Sequence, residues 1–252
     1  MRLKYEAKNA WEFERENNKL DDVMNYSKGY MHFLDVGKTE RTSAREIVRM
    51  AKENGYISID EAMNNGKVNP GDKIYAVNKD KAVALFIMGK NKLENGMKII
   101  GGHIDSPRID LKPHPLYQEA NLGFFKTHYY GGIKKYQWAS LPLALHGVVV
   151  LASGEKVEII IGEKDDDPVF TIPDILPHLS AKIQGDRKTG EVIKGEELQI
   201  IVGSIPSSVE DKDVKEKIKY AIPDIYFYYA CHLSLVQWFV TWQMYTREKL
   251  KA

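Results

Sequence analysis

The sequence predicts an α/β chain in which helices pack on a mixed sheet and a β-rich stretch follows. Three observations carry that reading. Helical patterns fill the chain before Lys73, short apolar runs bounded by turn residues fill Lys73 to Ile109, and beyond His114 the text is mostly β.

Taken in order, Trp11 to Asn17 is charged and polar helical text. Leu20 to Leu34 places Val23, Met24, Tyr26, Tyr30 and Phe33 in a mixed pattern compatible with one face against a core. Thr42-Ser43-Ala44-Arg45-Glu46 offers a helix start, with Ser43 as the cap and Glu46 closing a capping box three residues later. Asn54-Gly55 supplies a left-handed stop, Ser58 opens another short helix, and Gly71-Asp72 marks a turn. Two apolar runs, 73–77 and 82–88, flank Asn78-Lys79-Asp80-Lys81 and predict a hairpin. After the Asn95-Gly96 turn, Met97 to His103 reads as a buried strand. Leu143 to Leu151 and Lys156 to Ile161 are further strands separated by Ser153-Gly154. Asp165-Asp166-Asp167-Pro168 reads as a solvated loop, since it lacks the glycine and distal glutamate of a calcium loop.

With 252 residues the chain has room for one large domain or two smaller ones. A formal charge of +1, with charged residues spread throughout, leaves no footprint for a polyanion, so nucleic acid is not expected as a partner. The single cysteine, Cys231, has no internal partner for a disulfide, which fits a reducing cytoplasm. Charges at Arg2, Lys4 and Glu6 stand where a signal peptide needs apolar residues. No apolar run approaches the roughly 20 residues that span a bilayer, so a soluble chain without a membrane partner is expected.

The most informative stretch is Gly101-Gly102-His103-Ile104-Asp105-Ser106-Pro107-Arg108. On extended backbone, side chains two apart share a face, so His103 and Asp105 project together while Ile104 turns inward. A metal-bound imidazole is commonly oriented by an acceptor at its second nitrogen, which a carboxylate at this offset supplies. The two glycines leave room for a substrate or metal to approach the backbone. The same pair also fits a purely structural contact at a strand end.

The surrounding motifs extend the argument. His103-Ile104-Asp105-Ser106-Pro107-Arg108-Ile109-Asp110 is followed by Tyr130-Gly131-Gly132, Trp138, Pro142-Leu143 and Gly147, with Asn9-Ala10-Trp11 upstream and Ile172-Pro173-Asp174 and Pro177-His178-Leu179 downstream. In this order the motifs resemble the aspartyl-aminopeptidase-type zinc aminopeptidases, a family with a co-catalytic metal pair, over about Asn9 to Lys219. The resemblance implies a zinc exopeptidase-like mixed sheet interrupted by a β-rich inserted assembly domain. It divides the chain into residues 1–142 of the peptidase domain, an inserted oligomerisation domain at 143–214, and an atypical helical tail at 215–252. It also implies a metalloaminopeptidase acting on peptides, a homo-oligomer, two zinc ions, His103 as a zinc ligand and Asp105 as the acid beside it. His178 matches a family histidine regarded either as a zinc ligand or as a group reaching a neighbouring subunit's site.

Two departures from the family pattern matter. Many relatives carry Asp-Arg after the tryptophan, where this chain has Trp138-Ala139-Ser140, so no role passes to that acid. A two-zinc peptidase also needs a bridging carboxylate, further ligands and a glutamate base, and the family holds these beyond the matched region. Glu196-Glu197 does not replace them, because it falls at a strand entrance of the inserted domain, where paired acids are solvated. After Val214 to Lys219, read as a charged amphipathic helix, the tail from Tyr226 to Trp242 becomes unusually aromatic and unlike the family. Truncation through a shifted frame, an amphipathic helix on the core and an interfacial helix are the readings in descending order. Two functions follow: a zinc aminopeptidase, or a non-catalytic truncated relative acting as an assembly module.

Overall fold

A computed structural model describes Ala7 and residues 9–151, 153–206, 220–221 and 241–246. They divide between a unit ending at Asp105 and a unit beginning at Ser106.

In the first unit, α1 (Ala10–Glu16) is capped by Asn9, whose side chain accepts from the Trp11 amide, and α2 (Leu20–Val36) follows. The third helix, α3 (Glu40–Glu53), starts earlier than the sequence predicts. Thr39 is its cap, exchanging hydrogen bonds with Thr42 in a capping box, while the Ser43 hydroxyl turns back to donate to the Gly37 carbonyl. Glu46, expected to close the box, sits one turn further on. It is buried against Arg49, which donates to both its carboxylate oxygens and holds that carboxyl below its ordinary range. The helix stops as expected at Asn54, with Gly55 at φ +80. Ser58 caps α4 (Ile59–Asn64) by accepting from the Glu61 amide.

The three-stranded sheet of this unit runs β1 (Ile57–Ser58), β2 (Lys73–Asn78), β3 (Ala82–Ile87). The first pair is parallel and the second is the predicted hairpin. Its turn residues Lys79 and Asp80 both take positive φ, which matches the twist of the flanking strands.

The second unit is a six-stranded sheet in the order β7-β6-β11-β4-β5-β8. Its strands are β4 (Arg108–Glu119), β5 (Leu122–Tyr130), β6 (Leu143–Val150), β7 (Lys156–Ile161), β8 (Ile200–Gly203) and β11 (Thr241–Thr246), and β9 (Ile205–Pro206) pairs separately with β10 (Tyr220–Ala221). Between Leu111 and Leu116 the β4–β5 register shifts. Pro113 and Pro115 lie in that interval and have no N–H to donate, so the ladder bulges there. On β5, Phe125 and Thr127 alternate inward, and the buried Thr127 hydroxyl donates to the Leu198 carbonyl. Ile109, Leu111, Leu143, Leu145, Ile161, Phe170, Ile172, Leu198 and Ile200 close the core, with Trp138 and Leu141 packed against it.

Two expectations change here. Residues 97–107 form no regular structure, so Met97 to His103 is not a buried strand; Ile99 is 80% and Ile100 fully exposed. A strand exists only through its ladder partners, and the sheet of the first unit ends at β3 without taking this segment in. In the tail, the described residues of 215–252 are strand rather than helix. β11 pairs antiparallel with both β4 and β6, because its Thr-Trp-Gln-Met-Tyr-Thr text is rich in β-formers. Val214 to Lys219 and Tyr226 to Val240 lie outside the described residues.

Candidate metal centre

His103 and Asp105 meet. His103 Nδ1 lies 3.1 Å from Asp105 Oδ1 and 2.9 Å from the Asp105 carbonyl oxygen. Both partners are acceptors, so the neutral ring carries its hydrogen on Nδ1 and keeps the Nε2 lone pair. That is the tautomer a metal-binding imidazole with an oriented second nitrogen requires. The His103 side chain is 82% exposed, against 35% for Asp105. A Cβ added at Gly101 or Gly102 would meet nothing within 4 Å, so the backbone before the histidine stays open to an approaching group.

These side chains meet on irregular backbone and not by strand alternation, since no strand runs through them. Shortly afterwards, at Arg108, the chain enters β4. Arg108, buried at the start of β4, donates through Nε to Asp110 Oδ1 at 2.8 Å, and its guanidinium lies 3.9 Å from the centre of the Tyr130 ring. Tyr130 is its antiparallel partner on β5, and Gly131, at φ +77, lets the next turn pass against Pro107. These motif residues therefore have a structural task, which sequence reasoning missed. Arg108 and Asp110 are two apart on one strand, a legible signal, but their pairing with Tyr130 depends on a register that the sequence does not display.

His178 is exposed near the start of α5 (Pro177–Ile183), in the second unit. Glu196 and Glu197 form a short 3-10 turn just before β8. Glu196 pairs with Lys112, and Glu197 takes a two-pronged contact from Arg187 that holds its carboxyl below its ordinary range. Both acids are thus engaged by cations, and Glu197, expected to be merely solvated, does more than sit in solvent. Asp167 of the acidic triplet accepts from the amides of Gly162 and Lys164, and these bonds lower its carboxyl as well. It shapes its own loop. His146 on β6 contacts Glu163 at 2.8 Å, both away from the His103 motif in sequence.

The pattern of an aminopeptidase I zinc metalloprotease (M18) matches residues 33–238. The chain belongs to the M18 family. A probable M18 family aminopeptidase 1 of Borrelia garinii is 47% identical over 220 residues, which are 84% of this chain and 47% of that protein. The crystal structure of the M18 aminopeptidase of Thermotoga maritima superposes with a TM-score of 0.79 at 38% identity, over 97% of this chain and 51% of that one. At 18% identity, and so for the fold alone, the mApe1 dodecamer of S. cerevisiae matches 90% of this chain and 49% of its own, with a TM-score of 0.60. This chain spans about half the length of the curated M18 relatives it matches.

Zinc is the metal in the family's name. His103 backed by Asp105 suits one coordination position of such an ion. Among the described residues, however, no group of three or more His, Cys, Asp or Glu side chains gathers to hold a metal. Catalytic zinc takes three protein ligands and a water, so these residues do not complete a zinc centre and no hydrolytic step follows from them alone.

Proposed function

We propose that this chain contributes the His103–Asp105 part of a zinc aminopeptidase centre that removes N-terminal residues from peptides. The observation that carries the reading is the His103 ring, whose Nδ1 is held by two oxygens of Asp105 and whose Nε2 lone pair is kept. In this reading His103 ligates one of two zinc ions and Asp105 orients it. His178, on the exposed start of α5, serves as a further ligand or reaches a neighbouring subunit. Residues 143–214 belong to the inserted assembly domain between 1–142 and 215–252, the protein assembles with copies of itself as the mApe1 dodecamer does, and it works in the cytoplasm.

A fusion of this chain to the unmatched half of the Thermotoga maritima aminopeptidase tests the reading. The fusion is expected to retain zinc through dialysis and to hydrolyse aminoacyl substrates. Asp105→Ala should weaken metal affinity or activity about 10- to 100-fold, the range seen when a group orienting a ligand is lost, and His103→Ala should do at least as much. Wild-type zinc content and turnover in both variants would overturn the assignment. For the 252-residue chain alone, less than one tightly held zinc and poor turnover are expected.

A second reading, an assembly module without catalysis, is favoured by the contrast between a closed core in the second unit and a single ligand-competent pair in the first. Zinc content and turnover of the fusion separate the two readings. A fusion that self-associates but holds no zinc and turns over no substrate supports the second, and a hydrolytic fusion counts against it.

A further inference from the structure

We infer that Arg108 is a positioning residue for the candidate metal centre: from the start of β4 it restrains the residue next to the peptide unit whose carbonyl oxygen faces the His103 ring. The inference rests on the proposed reading of His103 as a zinc ligand.

The argument starts at the ring. His103 Nδ1 has two acceptors, Asp105 Oδ1 at 3.1 Å and the Asp105 carbonyl oxygen at 2.9 Å. The carboxylate moves with its own side chain. The carbonyl instead belongs to the planar peptide unit joining Asp105 to Ser106, so its direction depends on the backbone torsions at either end of that plane. Among the described residues, no backbone group of 97–107 enters a backbone–backbone hydrogen bond, so no ladder sets those torsions. Two other features restrict Ser106. Pro107 follows it, and a proline confines the residue before it to extended backbone. The Ser106 carbonyl also accepts from Arg108 Nη1 at 3.4 Å.

Arg108 can act on Ser106 because the sheet places its guanidinium. Nε donates to Asp110 Oδ1 at 2.8 Å, the guanidinium lies 3.9 Å from the centre of the Tyr130 ring, and the side chain is only 9% exposed. Asp110 is two residues along the same strand and Tyr130 is the partner of Arg108 across the ladder. A guanidinium carries its donors in a planar fork. With Nε on Asp110 and one face on Tyr130, the direction of Nη1 follows. Lysine offers a single ammonium on a flexible stem and cannot make the same set of contacts. With both acceptors in place, the neutral His103 ring keeps its hydrogen on Nδ1 and its lone pair on Nε2, the form that ligates a metal. Releasing Ser106 lets the peptide plane turn and removes one of the two acceptors.

Nitrogen-resolved NMR of the isotope-labelled, metal-free 252-residue chain, at a pH where imidazole is neutral, reads this tautomer directly. The chain has seven histidines, so His103 is assigned by the signals lost in His103→Gln. The Nδ1–H form is expected to dominate in the wild type. Arg108→Lys and Pro107→Ala should each lower the ratio of Nδ1–H to Nε2–H about fivefold, the effect of one hydrogen bond. Tyr130→Phe, which keeps the ring face, and Lys112→Ala, which removes a surface ion pair on the same strand, should change it less than about twofold. Pro107 is exposed, so its variant keeps the test decisive where Arg108→Lys fails to fold. A wild-type ring without preference for Nδ1–H, or a ratio unmoved by Pro107→Ala or by a folded Arg108→Lys chain, would overturn the inference. Zinc retention by the fusion decides the reading beneath it. A fusion that holds no zinc, with a tautomer that still responds to Arg108, would overturn the peptidase reading alone.

Discussion

The unit beginning at Ser106 and the unit ending at Asp105 are built from equally well-punctuated sequence, yet only the unit beginning at Ser106 closes a core. Twelve apolar side chains of the second unit, from Ile109 to Val202, form one buried cluster. Among the described residues of the first unit, the buried apolar side chains are Ala44, Ala51, Ala62 and Ile74, and three of those are alanines. Trp11, Phe13, Tyr26, Ile87 and Ile99 remain exposed. Caps, turns and hairpins are satisfied locally, whereas burial needs a second surface. The two units therefore have similar local order and very different grounds for stability.

Hydrogen exchange should break or sharpen this contrast most strongly. Amides of 97–102 are expected to exchange at least about a thousandfold faster than those of β4 and β5 near Ile109 and Phe125, because only the latter open by global unfolding. Comparable protection in both places would refute the contrast.

Side-chain truncation comes next in size. Leu198→Ala or Ile172→Ala, both at fully buried positions, should cost about 2–5 kcal/mol in chemical denaturation. Ile100→Ala, fully exposed, should stay within about 0.5 kcal/mol. A smaller effect is expected from Thr39→Ala, which removes the cap of α3 and should cost about 1 kcal/mol, read as lower protection in that helix.

The smallest effect separates the units by pH. Glu197 and Asp167 in the second unit, and Glu46 in the first, have folded carboxyl pKa values below their ordinary ones, held there chiefly by Arg187, the Lys164 amide and Arg49 respectively. Such groups stabilise the fold above the usual carboxylate range near pH 4, and that contribution is lost as pH falls through the lowered folded value. Combining Glu197→Gln with Asp167→Asn should flatten the acid limb of the second unit's stability profile, and Glu46→Gln should act only on the first. An unchanged acid limb would show that other carboxylates govern it.

The hairpin at 78–81, the stop at Asn54-Gly55, the Ser58 cap and the strands around Ser153-Gly154 were legible because each depends on residues within one turn of each other. Even there, one degree of freedom escaped. Thr39 and Ser43 both stand within reach of a helix start, and the choice of Thr39 followed from Thr42 returning its hydrogen bond while Ser43 was drawn to Gly37. The His103–Asp105 contact was likewise local and was anticipated, although the strand expected to deliver it is not present.

What the amino-acid order determined by itself was therefore the short-range geometry and, through the spacing of its motifs, membership of the M18 family. Tertiary structure alone decided which apolar segments became strands, that β11 enters between β4 and β6, and that Arg108 stacks on Tyr130 while Glu197 meets Arg187. The reason is physical. A capping bond or a tight turn is complete within a few residues, but a strand and a core exist only when distant surfaces meet, and their partners are not encoded in the segment itself.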